Sequence, residues 1–108
     1  MSISEIEQEL RAAIDHAQVH GLTLRPNCTL GPKYCCPIGA HYLQHTGKRR
    51  WTSLVTPLVT YAKGKFPDTG QSFWLGLIDG FDGHVFNLEA NAPYYDGHRL
   101  GQKFRPGE

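Results

Sequence analysis

The stretches Phe73–Phe81, with the sequence FWLGLIDGF, and Tyr94–Phe104, with the sequence YYDGHRLGQKF, decide the fold that we expect. In each of them two glycines lie four residues apart and share one face of a helix. The glycines are Gly76, Gly80, Gly97 and Gly101. Each costs about 1 kcal/mol relative to alanine inside a helix, and a close backbone contact offsets that cost. We predict that the two helices pack closely against each other or against a second copy. The alternative is that Gly80 and Gly97 simply end or begin helices.

Towards the N-terminus, the next clear element is an amphipathic helix that ends at Gly21. Its apolar positions recur at helical spacing: Ile6, Leu10, Ala13, Ile14 and Ala17. Ser4 with Glu7 forms a capping box at its start. Ser2 with Glu5 offers the same motif two residues earlier, so both starts stay open. We assign the polar residues to the opposite, solvent-facing side: Glu5, Glu9, Arg11, Asp15 and Gln18.

Prolines and glycines divide the rest of the first half. A short extended piece is predicted at Leu22–Leu24, followed by a loop at Pro26–Tyr34. A second helix begins near Cys36, with Pro37 at its first position, and ends at Gly47.

A third, short helix starts at the Thr56-Pro57 cap and runs through Lys63 to a stop at Gly64. The β-branched residues before it favour a strand over residues 51–55 as an alternative. Residues 85–88 are ambiguous between strand and loop.

Asp68 or Thr69 caps the helix that contains the first glycine pair, which ends near Phe81. The last helix spans Pro93–Phe104 and follows a cap at residue 91 or 92. The expected fold is therefore a mainly all-α single domain of residues 1–108, with four or five short helices and a minor extended segment. Its predicted core comprises Leu10, Ile14, Leu43, Leu58, Phe73, Leu77, Phe81 and Leu100.

The charge of the chain is nearly balanced, because 11 Lys and Arg against 10 Asp and Glu give +1. This excludes a strong overall field that attracts nucleic acid or an anionic membrane. The longest apolar run, Phe73–Ile78, is far shorter than the ~20 residues of a spanning helix. The first residues lack the basic start of a secretory signal, and three cysteines, an odd number, argue against a disulfide framework. We therefore expect a cytoplasmic protein without a membrane contact.

The densest cluster of metal-binding and nucleophilic residue types comprises Cys28, Cys35, Cys36, His41 and His45. His41 and His45 are one helical turn apart and share a face, as two zinc ligands would. With Cys28 and Cys35 they form the predicted zinc set, although no Cys-x-x-Cys pair is present. A thiol at a helix start also has a lowered pKa, which suits a nucleophile, but no nucleophile motif surrounds Cys35 or Cys36. The alternative is that the cysteines are small buried residues and the histidines lie on the surface.

Three cations precede an aromatic residue at Lys48, Arg49, Arg50 and Trp51. Such a segment can hold phosphates and stack a base. Further cations extend the patch: Lys63, Lys65, Arg99, Lys103 and Arg105. The alternative is a solvated loop with Trp51 anchored in the core.

Two carboxylates lie close together in the segment Asp79-Gly80-Phe81-Asp82-Gly83. Carboxylates can bind a cation, but oxygen-ligand loops need more ligands in a defined order. Asp beside Gly more often forms a turn through side-chain to backbone hydrogen bonds.

Three short motifs resemble a pattern of short uncharacterised bacterial and phage proteins: Cys36-Pro37-Ile38-Gly39-Ala40, Gly80-Phe81-Asp82-Gly83 and Gly97-His98-Arg99-Leu100-Gly101. The similarity spans about residues 35–101. Its glycines serve packing and turns. The resemblance implies a bacterial, cytosolic context, and it implies no activity, cofactor or site residue.

The sequence contains no phosphate-binding glycine loop and no nucleophile elbow. The leading expectation is therefore a small, non-enzymatic binding or regulatory module that acts through contacts with a protein partner or with a second copy. A nucleic-acid contact through Lys48–Trp51 is the first alternative. A zinc- or thiol-dependent site at the Cys28, Cys35, Cys36, His41 and His45 cluster is the second, and only this alternative calls for a cofactor, zinc.

Overall fold

The structure, a computed structural model, describes residues 2–28, 30–48, 55–84 and 91–106. These residues form five α-helices and two short strands: α1 (Ile3–Val19), β1 (Thr23–Leu24), β2 (Tyr34–Cys35), α2 (Pro37–Thr46), α3 (Val55–Lys65), α4 (Gln71–Asp82) and α5 (Ala92–Phe104). The mainly helical fold class with a minor extended segment is confirmed. The chain divides into two compact units, Met1–Leu58 and Val59–Glu108.

In the first unit, α1 begins at the earlier of the two predicted capping boxes. The Ser2 hydroxyl accepts a hydrogen bond from the Glu5 backbone N–H at 3.2 Å, and the Glu5 carboxylate accepts one from the Ser2 N–H at 3.0 Å. The apolar positions expected to face the core are all buried: Ile6, Leu10, Ala13, Ile14 and Ala17. Gly21 follows the C-cap His20 with a φ of +84°, as a left-handed helix stop requires.

The two strands pair in parallel, and β2 leads directly into α2. Thr23 lies opposite Tyr34 and Leu24 opposite Cys35. Cys36 then caps α2, because its sulfur accepts a hydrogen bond from the Gly39 N–H at 3.3 Å. The helix ends at Gly47, as predicted.

In α3 both predicted bounds are wrong. The helix begins at Val55, so Thr56 lies inside it rather than at its cap. It also continues through Gly64 to Lys65, because the backbone N–H of the buried Phe66 still donates to the carbonyl of Ala62 at 2.9 Å. Of the alternative strand over residues 51–55 the structure describes only Val55, which is helical.

The predicted cap of α4 is also wrong, since Gly70 occupies the N-cap without a side-chain hydrogen bond. The Thr69 hydroxyl instead donates to the carbonyl of Phe66 and accepts from the Trp74 indole N–H, both at 2.6 Å. Asp68 is exposed. For α5 the cap is Asn91, whose side chain accepts from the Tyr94 N–H at 3.1 Å. The ambiguous segment 85–88 lies outside the described residues.

In the second unit, α4 and α5 pack with their backbones in direct contact along their glycine faces. The four contacts, each from a glycine to a backbone carbonyl oxygen of the other helix, are Gly76 with Tyr94, Gly80 with His98, Gly97 with Phe73 and Gly101 with Leu77. A Cβ at any of these glycines would overlap backbone atoms of the other helix. All four glycines lie inside their helices, so neither Gly80 nor Gly97 is a helix end.

The predicted core is confirmed, since every residue assigned to it is at most 7% exposed: Leu10, Ile14, Leu43, Leu58, Phe73, Leu77, Phe81 and Leu100. The core of the described chain also includes residues that the prediction left out, above all Trp74 and Ile38. Among the described helices, none combines the length and the apolar character that crossing a membrane requires.

Candidate metal centre

Three side chains on α1 and α2 bring possible metal ligands together. Glu9 lies on α1, and His41 and His45 lie one turn apart on α2. Each offers one ligand atom, and these atoms all lie within 4.8 Å of one another. Two imidazoles and a carboxylate are a ligand set that zinc accepts in proteins.

His41 anchors this cluster from inside the protein. It is only 1% exposed, and its Nε2 lies 2.9 Å from Glu9 Oε1. A buried polar group needs a hydrogen-bond partner to offset its desolvation, and the Glu9 carboxylate, 36% exposed, provides it from the surface. The contact joins residues 32 positions apart in the sequence.

His45 completes the cluster at the surface. Its ring stacks on that of His41, with 4.1 Å between the ring centroids and an interplanar angle of 23°. His45 is exposed. The cluster therefore has one buried ligand held in place by packing and an exposed side through which an ion can enter.

The distance between His41 Nε2 and Glu9 Oε1 is close to what a tetrahedral ion requires. Zinc–ligand bonds of 2.0–2.1 Å place two ligand atoms roughly 3.3 Å apart in a tetrahedron. The 2.9 Å between His41 Nε2 and Glu9 Oε1 needs to open by only a few tenths of an ångström. An ion at this position would replace the hydrogen bond, and the exposed His45 side chain would have to turn to provide the third contact.

The structure brings together only part of the predicted zinc set. His41 and His45 lie in the cluster, whereas Cys28 and Cys35 do not belong to it. Cys35 lies in β2, before α2 begins, while the histidines lie on the helix itself. The third member, Glu9, was missed because the sequence analysis assigns it to the solvent-facing side of the first helix. Glu9 lies between the buried residues Ile6 and Ala13, at the edge of the apolar stripe of α1. This position is the one sequence signal that could have indicated a contact with another helix.

The surroundings of Cys35 disfavour the thiol chemistry considered for it. Burial, with a smaller contribution from Cys28, raises the pKa of the Cys35 thiol to about 12. A nucleophile or a metal ligand needs the thiolate form, and the structure disfavours it here. Cys36 is buried as the N-cap of α2, and Cys28 is half-buried.

The basic and aromatic segment is described only at its first residue. Lys48 is exposed, and its backbone N–H donates to the Thr46 hydroxyl at 3.2 Å. Arg49, Arg50 and Trp51 lie outside the described residues, so the nucleic-acid contact stays a prediction. The five cations expected to extend the patch are all exposed: Lys63, Lys65, Arg99, Lys103 and Arg105.

The carboxylate of Asp79 serves local structure. It accepts a hydrogen bond from the Tyr94 hydroxyl and lies 3.4 Å from His84 Nδ1. The backbone carbonyl of Asp79 accepts from the N–H groups of Gly83 and His84 at the end of α4. Within the described residues Asp79 and Asp82 join no group of three metal-ligand side chains.

Comparison of the chain with protein-family models, with curated protein sequences and with solved structures finds no match.

Proposed function

We propose that this chain is a small, non-enzymatic binding module whose ligand is a divalent transition-metal ion held by Glu9, His41 and His45. The observation that carries the proposal is the cluster itself, with three ligand atoms from two helices within 4.8 Å of one another. Its buried member, His41, has a fixed position before any ion arrives.

The chemistry of the ligands selects the class of ion. Imidazole suits zinc, copper and nickel, whereas calcium and magnesium take oxygen ligands almost entirely. Two imidazoles and one carboxylate therefore favour zinc or a neighbouring late first-row metal. With three protein ligands, a tetrahedral zinc ion keeps a fourth position open.

The open position gives the module a way to act through protein contacts. A histidine or carboxylate of a partner protein, or of a second copy of this chain, can fill it. Because His45 is exposed, we expect this position to face the surface. We further place the module in the cytoplasm, where its three cysteines, which form no disulfide, are expected to stay reduced.

Zinc titration followed by native mass spectrometry and calorimetry tests the proposal. The variant Glu9→Gln with His45→Gln removes two ligands and leaves the buried His41 in place. The matched control, Asp15→Asn with His84→Gln, likewise replaces one carboxylate by its amide and one histidine by glutamine, at exposed positions outside the cluster. We expect the first variant to bind one zinc ion fewer than the control, which binds like the unmodified chain. If both variants bind zinc with equal stoichiometry and affinity, the proposed site is wrong.

A further inference from the structure

A separate pocket of about 200 Å³ lies beside the last turns of α1 and α2. Its lining comprises His16, His20, Leu43, Gln44 and Gly47. None of the three ligands of the candidate metal centre lines it. The pocket is therefore a second feature of the same unit, with its own pair of imidazoles.

The two imidazoles are positioned as a pair. His16 and His20 are one helical turn apart on the same face, and their ring centroids lie 4.4 Å apart. The Nδ1 atom of His16 is buried and makes no hydrogen bond to the described residues. Buried nitrogens of this kind normally have a partner, so the present ring orientation leaves this nitrogen unsatisfied. Because the His16 side chain is only partly buried, a rotation of its ring would bring a nitrogen to an ion in the pocket.

The electrostatics of the pocket favour a cation. His20 is the C-cap of α1 and Gly47 is the C-cap of α2, so both helices end here. The last carbonyl groups of a helix carry a partial negative charge and include acceptors without partners inside the helix. Among the described lining residues, the imidazoles are the only side chains that ionise.

The size of the pocket favours an ion over an organic ligand. Pockets for organic ligands usually measure about 300–1,000 Å³. A volume of about 200 Å³ is smaller than that, but it accommodates an ion with several waters at roughly 30 Å³ each. We propose that His16 and His20 form a second site for a late first-row divalent metal ion, completed by bound water. This site does not depend on the Glu9, His41 and His45 centre.

Zinc titration of the full chain by calorimetry, with the ion as the only ligand, tests this second site. With two imidazoles instead of two imidazoles and a carboxylate, it binds zinc more weakly than the first. In the variant His16→Gln with His20→Gln, the affinity of the weaker binding event falls at least about tenfold. The tighter binding event is unchanged. If this variant binds zinc as the unmodified chain does, the second site does not exist.

The variant Glu9→Gln with His45→Gln distinguishes a failure of the second-site proposal from a failure of the first. If the second site is real, this variant still binds one zinc ion, whether or not the first site is correct. Binding of no zinc by this variant overturns the second site and leaves the first standing.

A measurement on the unmodified chain covers the case in which a variant fails to fold. Zinc added to the intact protein should shift the imidazole NMR signals of His16 and His20. Signals that stay in place at saturating zinc overturn the proposal.

Discussion

His41 Nε2 lies 2.9 Å from Glu9 Oε1, so a buried imidazole of α2 is joined to a carboxylate of α1. The pair has two consequences. Without metal it connects the two helices through a polar contact at the edge of the core. In the proposed function the same two atoms would become metal ligands.

Removing the partner of His41 should destabilise the fold. Glu9→Ala removes the carboxylate from Nε2 of the buried imidazole, and a buried polar atom that loses its hydrogen-bond partner costs about 1–3 kcal/mol. Glu7→Ala is the control, because Glu7 pairs with Arg11 in an exposed i, i+4 contact at 2.8 Å, and such pairs contribute about 0.3–0.5 kcal/mol. Chemical denaturation of metal-free protein measures both free energies of unfolding. Equal losses in the two variants would show that the His41 contact is not structural.

The glycine contact between α4 and α5 predicts opposite effects for one substitution at two helical positions. Gly97→Ala places a Cβ against the Phe73 carbonyl and the Leu77 backbone, which forces the helices apart and costs roughly 1–3 kcal/mol or more. Gly64→Ala, in α3, meets nothing within 4 Å and should be neutral or gain up to about 1 kcal/mol. Thermal unfolding compares the two variants. A Gly97→Ala protein as stable as Gly64→Ala would refute the close backbone contact.

The raised pKa of Cys35 predicts slow alkylation and a loss of stability at high pH. Near neutral pH almost none of this thiol is ionised, so the half-buried Cys28 should react first with iodoacetamide. Peptide mass spectrometry after timed quenching measures both rates.

The same pKa sets the direction of the pH dependence of stability. The folded state holds this proton more tightly than the unfolded chain, whose thiol titrates near the ordinary value of 9.0. The contribution to stability is therefore complete below about pH 9 and is lost as the pH rises towards 12. Reaction of Cys35 at the rate of Cys28 would contradict both expectations.

The open coordination position predicts zinc-dependent association. Light scattering after size-exclusion chromatography should show a larger mass with zinc than with a chelator, and this increase should disappear in His45→Gln. His84→Gln, an exposed histidine outside the cluster, should behave like the unmodified chain. If the measured mass is that of one chain under all conditions, a second copy is not the partner. The partner would then have to be a different protein.

Local sequence patterns were sufficient for the five helices and for much of the core, but not for β2, which begins at Tyr34 inside the predicted loop. The spacing of Ile6, Leu10 and Ile14 predicts α1, and the glycines four residues apart lie at the contact of α4 with α5. The predicted cap of α4 failed because a side chain of the same helix engages the cap candidate. The Thr69 hydroxyl is engaged by Trp74 rather than by the start of α4.

The candidate site was predicted only in part because its members meet through packing. The pairing of His41 with His45 follows from helical spacing alone, since both lie on one face of α2. Glu9 joins them only because α1 packs beside α2, and its contact with His41 spans 32 residues of sequence. Helical periodicity gives the face on which a residue lies, but not the neighbour that this face meets.

X-ray absorption at the zinc edge of the zinc-loaded chain tests the central claim most directly. The Glu9, His41 and His45 centre predicts nitrogen and oxygen ligands at about 2.0–2.2 Å with imidazole scattering. A sulfur ligand at about 2.3 Å would contradict it, because that distance belongs to a cysteine thiolate.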